Sequence, residues 1–275
     1  MPLLTGKKGT IGERDEDVLR DLYFAERIAT KDLTKMHFPS AAKTKGRMAQ
    51  LKEKGYVVAD FSRGHALWKL TNDGFAFAKD MLGSPYGEHE RYPDRRLSPR
   101  RDLHHIDTVD IFARLKTKDE KRRGVREPSG PRVRNLDDVL GPYPNWEWRS
   151  ERRARRALKD ANDDTVYQPD AEVHFGGAVF VIERETERSR CTYEEMLKKL
   201  GHHKLYIEHV LRKPAETEIL YACDVDRDMI YAERACEKLD LVLFAGSPYQ
   251  VAEYLLENAR KFAAHRGAAQ RKAAS

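Results

Sequence analysis

Asp170 and Glu183 stand on either side of a glycine pair in the stretch Tyr167-Gln-Pro-Asp170-Ala-Glu-Val-His-Phe-Gly-Gly-Ala-Val-Phe-Val-Ile-Glu183-Arg-Glu185. The Gly176-Gly177 pair predicts a hairpin turn between strands at Ala171 to Phe175 and Ala178 to Ile182. Both carboxylates then fall at the same end of one ribbon, where acids can share a divalent cation. Oxygen ligands suit magnesium or manganese. Magnesium commonly binds through one or two protein carboxylates together with phosphate oxygens, so a nucleic acid is a natural substrate for such a site. Carboxylates at strand ends are also ordinary surface features, and a third reading satisfies them with arginines such as Arg152 and Arg155 in a structural ion-pair cluster.

The elements that must position these acids belong to a chain of 275 residues, 40% of them hydrophobic, which is enough for two ordinary domains or one large one. Charged residues make up 35%, and the formal net charge of +6 is patterned along the chain. Basic clusters occur at Lys43, Lys45, Arg47, Lys52 and Lys54, at Arg95, Arg96, Arg100 and Arg101, at Lys121, Arg122 and Arg123, and at Arg149, Arg152, Arg153, Arg155 and Arg156. Such clusters suit a polyanion, the alternative being solvated faces. Cys191, Cys223 and Cys236 are odd in number and lack close-pair spacing, which argues against a disulfide framework or a thiolate zinc knuckle. A reducing cytoplasm is the expected location. Met1 to Arg14 lacks the sustained apolar core of a signal peptide. No stretch approaches the roughly 18 apolar residues of a membrane span, so no membrane partner is expected.

Asp15 to Ile28 carries apolar residues at helical period behind an acidic first turn. Thr30 is expected to cap a second short helix ending before Pro39, and Ser40 a third. In that third helix Ala42, Met48 and Leu51 face inward, while Lys43, Lys45, Arg47 and Lys52 face out. A hairpin over Tyr56 to Thr71 with an Arg63-Gly64 tip and a closing helix over Asn72 to Leu82 follow. Gly83 to Arg101 reads as a linker, Leu103 to Leu115 as a helix, and Lys116 to Pro144 as a long basic loop. His104 and His105 diverge by about a third of a turn on that helix, which assigns them surface or core-edge roles rather than joint chelation. Trp146 to Asn162 is expected to be a helix. After the acid-flanked hairpin come a helix from Tyr193 to Leu211, a strand over Glu218 to Cys223, a helix over Asp228 to Lys238, a strand over Leu239 to Phe244 and a last amphipathic helix over Pro248 to Phe262.

Three helices and a two-stranded ribbon, with Leu51-x-x-x-Gly55-Tyr56-Val57 running into Leu70-Thr71-x-x-Gly74, resemble a winged helix-turn-helix. That resemblance implies duplex DNA contacts by Lys43, Thr44, Lys45, Arg47 and Gln50 of the third helix, and by Arg63 and His65 at the wing tip. Winged helices also serve as protein-interaction modules. The second half resembles the restriction-endonuclease-like fold, in which an Asp opens one strand, an acid-x-Lys triplet lies on the next, and a Glu often sits on the preceding helix. Here Asp170 matches the first acid, Glu183-Arg184-Glu185 occupies the triplet, and Glu151 is the helix acid. Glu185 stands where that pattern has its lysine, so Lys198 or Lys199 on the following helix would have to supply the positive charge. Arg184 should point to the opposite face by strand alternation.

Winged helix, Trp-x-x-Glu-Arg segment, Pro-Asp hairpin, the acids Glu183 and Glu185 before Thr186, and a following Lys-Leu helix together resemble the replication-relaxation family of plasmid and mobile-element proteins. The fold class implied is mixed, α+β and α/β: a winged-helix domain over residues 1–83, a linker over 84–144, a restriction-endonuclease-like domain over 145–265 and a tail over 266–275 that is disordered or a fraying helix end. The resemblance implies magnesium or manganese held by Asp170, Glu183 and Glu151, with Glu185, Lys198 and Lys199 in the catalytic set. The function it implies is DNA binding in replication, relaxation or mobilisation, with metal-dependent nicking or cleavage. The alternative keeps the DNA binding and makes the second domain a catalytically silent assembly module. A homodimer and replication or mobilisation proteins are the implied partners, and a role on RNA or on another protein is the more distant reading.

Overall fold

The computed structural model describes residues 11–62, 64–83, 99–117, 135–154, 156–160, 163–187, 191–211 and 216–274. The chain divides into two compact units, Met1–Asp102 and Leu103–Ser275, and both mix helices with strands.

In the first unit, α1 (Glu13–Ala25), β1 (Ile28–Ala29), α2 (Thr30–His37), α3 (Ala41–Glu53), β2 (Val57–Ser62), β3 (His65–Leu70) and α4 (Asn72–Met81) follow in chain order. The strands form an antiparallel sheet in the order β1-β3-β2. Val18, Leu19 and Leu22 of α1, Leu33 of α2, Met48 and Leu51 of α3, and Leu67 and Leu70 of β3 make the core. Burying each such aliphatic side chain contributes about 1.5–3 kcal/mol. Ser40 Oγ accepts from the Lys43 N–H at the start of α3, and Thr71 Oγ accepts from the Gly74 N–H at the start of α4.

Thr30 differs from its expected capping role, because β1 pairs with β3 and keeps Ala29 extended at the cap position. The Thr30 hydroxyl instead accepts from Trp68 Nε1 and ties α2 to β3. The inward face of α3 is Thr44, Met48 and Leu51, and Ala42 is exposed.

In the second unit, α5 (Pro99–Lys116), whose first turns belong to the first unit, is followed by α6 (Leu136–Leu140), β4 (Trp146–Ser150), α7 (Glu151–Ala154), β5 (Arg156–Asp160) and β6 (Asp163–Tyr167). Then come β7 (Ala171–Phe175), β8 (Ala178–Glu185), α8 (Tyr193–Tyr206), β9 (Thr217–Cys223), α9 (Asp226–Leu239), β10 (Leu243–Gly246) and α10 (Pro248–Ala274). The last turn of α8 passes into a π-turn over Ile207–Leu211. A five-stranded sheet runs in the order β10-β9-β8-β7-β4. Its β4, β7 and β8 pair antiparallel, whereas β8, β9 and β10 pair parallel through the crossover helices α8 and α9.

The helix expected over Trp146 to Asn162 is instead strand β4, the short helix α7 and the first part of the β5-β6 hairpin. Trp146, Trp148 and Ser150 are buried and alternate with half-buried Glu147 and Arg149, a period of two that the run of arginines obscures. The last helix does not stop near Phe262, since α10 continues to Ala274 through the tail, for which a fraying helix end is one of the two expectations. Met196 and Leu200 of α8 and Ala232 and Cys236 of α9 pack with Ile219, Tyr221 and Cys223 on one face of the sheet. On the other face the Phe112 ring of α5 lies 5.2 Å from Trp148, and the Phe262 ring of α10 lies 6.3 Å from Phe175. Among the described residues, no helix is long and apolar enough to cross a membrane.

The β7-β8 hairpin is closed by Gly176 at φ 63° and Gly177 at φ 89°, the paired positive angles of a type I′ turn. A Cβ on Gly176 would also come within 2.3 Å of the Phe262 ring. Gly176→Val should therefore lower unfolding stability by about 1–3 kcal/mol, read from the denaturant midpoint.

Candidate active site

The register Ala171↔Ile182 puts Asp170 and Glu183 opposite each other, one step beyond the last pair of the hairpin. Opposed side chains on paired strands share a face, and the two-residue period brings Glu185 to that face as well. Parallel pairing sets Tyr221 of β9 beside Glu183. Over these residues lies α8, started by a capping box in which Thr192 and Glu195 satisfy each other's backbone N–H groups. Met196, Leu200 and His203 are its buried stripe, and Lys199, one turn before His203, reaches the acids.

Lys199 Nζ stands 2.5 Å from Glu183 Oε2 and 3.5 Å from Glu185 Oε2. The other Glu183 oxygen lies 2.9 Å from His203 Nε2, and His203 Nδ1 is 3.0 Å from the Tyr167 hydroxyl. The Tyr167 ring stacks on Tyr206 at 3.9 Å, which holds that chain of contacts in place. The Tyr221 hydroxyl donates to Glu185 Oε2 at 2.9 Å. His104 of α5 brings Nε2 to 2.6 Å from Asp170 Oδ1, and the Arg184 N–H donates to Oδ2 at 2.7 Å. The Arg184 side chain turns to the opposite face, donating to the Ala222 carbonyl at 3.1 Å and to Asp224 at 2.5 Å.

The ionisation states follow from these contacts. Burial opposes the charge on Lys199, but Glu183, Asp170 and Glu185 outweigh it and hold the ammonium pKa above its ordinary value. For Asp170, burial pushes upward, and His104, Lys199 and the Arg184 N–H together hold the carboxyl well below the usual range. Burial likewise pulls His104 down, yet Asp170, assisted by Glu183, raises it to about 9, so the ring is cationic at neutral pH. Burial raises the Tyr221 phenol, and the charges of Glu185 and Glu183 raise it further.

Of the lysines expected to serve, Lys199 joins the acids, while Lys198 is exposed on the outer side of α8. Asp170, Glu183 and Glu185 surround one cation. Glu151 opens α7 one step beyond the Ser150↔Ala171 pair of β4 and β7, and its carboxylate accepts from the Gln168 amide. His203, His104, Tyr167 and Tyr221 were not singled out from the sequence as site residues. His203 had a readable signal in its spacing of four from Lys199, whereas His104 reaches Asp170 only through long-range packing.

The residues of the first unit expected to contact DNA divide similarly. Lys43 and Lys45 are exposed on α3. Thr44 is fully buried, its hydroxyl 2.8 Å from that of Thr34, so it cannot reach a base. Arg47 is held by both oxygens of Asp15, with Nε at 2.7 Å from one of them, and it donates to Gln50 Oε1 at 2.5 Å. His65 opens β3 and is half-buried, and Arg63 lies outside the described residues.

Carboxylate oxygens are the donors a hard divalent cation takes, and Asp170 and Glu183 offer them side by side. Both Glu183 oxygens are buried, one beside the Lys199 ammonium and the other beside the His203 ring, yet neither contact is aligned as a hydrogen bond. Among the described residues no group of three or more His, Cys, Asp or Glu side chains is arranged to hold a metal. A cation here would rest on two carboxylates, with water and phosphate completing its shell, and the residues fit magnesium or manganese in that manner.

No family model matches the chain, no curated protein matches it, and no solved structure matches it.

His104 links the site to pH. Its folded pKa of about 9 exceeds the ordinary 6.5, so the stabilisation from its bond to Asp170 is fully present below pH 6.5 and is lost as pH rises through 9. The stability difference between the native chain and His104→Gln should be largest near pH 6 and shrink steadily towards pH 10, as measured by urea unfolding across that range.

Proposed function

We propose that the chain is a DNA-binding protein of the replication-relaxation type, from a plasmid or other mobile element. In this reading its first unit is a winged helix that engages duplex DNA, and its second is a restriction-endonuclease-like domain that hydrolyses a phosphodiester bond. The observation that carries the proposal is the Lys199 ammonium held between Glu183 and Glu185. A lysine from the following helix thereby answers the acid that occupies the triplet's lysine position. Further support is the mixed sheet, in which an antiparallel acid-bearing hairpin adjoins a parallel pair. For the first unit the support is the succession of α2, α3 and the β2-β3 ribbon, with Lys43 and Lys45 exposed on α3.

Asp170 and Glu183 would hold the divalent cation, which when bound supplies Lewis-acid charge at the scissile phosphate. The residues of the chain do the rest. Lys199 would place a fixed positive charge near the phosphoryl oxygens on which negative charge develops, beside the apolar cluster of Met196, Leu200 and Tyr221. His203, steadied by Tyr167, packs its ring edge against Glu183, and Tyr221 fixes the orientation of Glu185.

One observation favours the silent-module reading. Both oxygens of Asp170 and both of Glu183 already face protein partners, so the acids are neutralised without a metal.

Supercoiled plasmid incubated with the protein and magnesium or manganese separates the two. Nicking should occur, fall on the order of 100-fold or more in Asp170→Ala and Lys199→Ala, and persist in Lys198→Ala. Absence of nicking with manganese across several pH values would leave the silent module. For the first unit, Lys43→Ala and Lys45→Ala should each weaken duplex binding and reduce the salt slope by about 0.9. Tighter binding to RNA or single strands across the same salt series would redirect the assignment.

A further inference from the structure

A cavity of about 700 Å³ opens along α3 in the first unit, lined by Arg14, Asp15, Phe38, Lys43, Arg47 and Gln50 together with Gly12, Ala42 and Gly46. Its floor is the buried Phe38 ring, with the Arg14 guanidinium 5.8 Å from the ring centroid. At Gly46 an added Cβ would meet nothing within 4 Å, so a planar group can approach the α3 backbone closely there. Arg47 projects into this space with its side chain 31% exposed, whereas its anchor Asp15 is 3% exposed.

A guanidinium carries five N–H donors. Asp15 takes one on Nε and one on Nη2, and Gln50 takes one on Nη1. One N–H therefore remains on each terminal nitrogen. Adjacent terminal N–H groups form the fork that matches guanine O6 and N7, or two oxygens of a phosphate. Asp15 decides between these acceptors. Its charge offsets that of Arg47 and repels a phosphate, but it leaves the directional donors intact for an uncharged acceptor pair. It also immobilises the side chain before any ligand arrives, so little rotamer entropy is lost on contact. Phosphate is left to Lys43 and Lys45, which are exposed on the same helix.

We infer that Arg47, braced by Asp15 and Gln50, is the specificity-determining residue of α3 and that it takes the O6 and N7 edge of a guanine in the cavity. Where that guanine lies in duplex DNA, the inference rests on the DNA-binding reading above. A free guanine nucleotide would present the same edge.

Duplexes selected by the full-length protein from a randomised pool would be compared with the same duplexes carrying 7-deazaguanine, which lacks only N7, by fluorescence anisotropy. The native chain should lose affinity on the order of 10-fold on that replacement. Arg47→Lys should bind both forms alike, and Lys45→Ala should weaken both equally. Thermal unfolding of each variant establishes that it is folded, and Gln50→Ala, at an exposed position, should narrow the discrimination without unfolding the unit. Equal affinity of the native chain for both duplexes overturns the inference while leaving duplex binding intact. If the native chain binds no duplex at any salt concentration, the DNA-binding reading fails on its own account. Titration with guanosine monophosphate then decides the inference: saturable binding lost in Arg47→Lys supports it, and no binding overturns it.

Discussion

Burying carboxylates at the end of a sheet costs several kcal/mol per ion unless cations reach them, and that cost governs how the second unit is assembled. Glu183 is 1% exposed in its side chain and Glu185 8%. The β7-β8 register fixes both, because the hairpin that opposes Asp170 to Glu183 also threads β8 beside β9. A helix that covers this face must present positive charge here. Docked by Met196 and Leu200, α8 covers the face and delivers Lys199 and His203, while α5, packed on the other face, brings His104 to Asp170 at the strand's start. The apolar stripe of α8 and its Lys199 ammonium are parts of one requirement.

The same requirement gives the site its preorganisation. Glu185 is oriented by Tyr221 and Asp170 by His104 and a main-chain N–H, while Glu183 is hemmed in by Lys199 and by His203, itself held by Tyr167. Groups fixed in this way need little rearrangement when a substrate charge appears, which is the property electrostatic catalysis depends on. They are also the groups a purely structural charge cluster would use, so one geometry serves both readings of the second unit. In the first unit the Asp15-Arg47 pair follows the same logic, a buried acid setting the direction of a half-exposed cation.

Local patterns were legible in the sequence wherever one element carried its own signal. Gly176-Gly177 announced the hairpin to the residue, and the ends of β7 followed from it. Ser40 and the Gly55 boundary likewise marked α3. The pair Lys198-Lys199 was visible, but choosing between its members needs the buried face of α8, which Met196, Leu200 and His203 define together. Trp146 to Ser150 reads as helix because Arg149, Arg152, Arg153 and Arg156 recur at helical spacing, while the alternation of buried tryptophans belongs to a strand. Thr44 was misread because a threonine among basic residues looks exposed, yet its hydroxyl completes a pair with Thr34 across the α2-α3 junction. His104 lies 66 positions from Asp170, and no spacing rule joins them.

The central claim is that Asp170 and Glu183 form a cation-binding pair with Lys199 as its resident counter-charge. Titrating manganese with the protein and following the free-ion electron paramagnetic resonance signal tests it most directly. One saturable site is expected, abolished in Asp170→Asn and in Glu183→Gln. A manganese signal undiminished by the native chain, or a site indifferent to the first two substitutions, would contradict it.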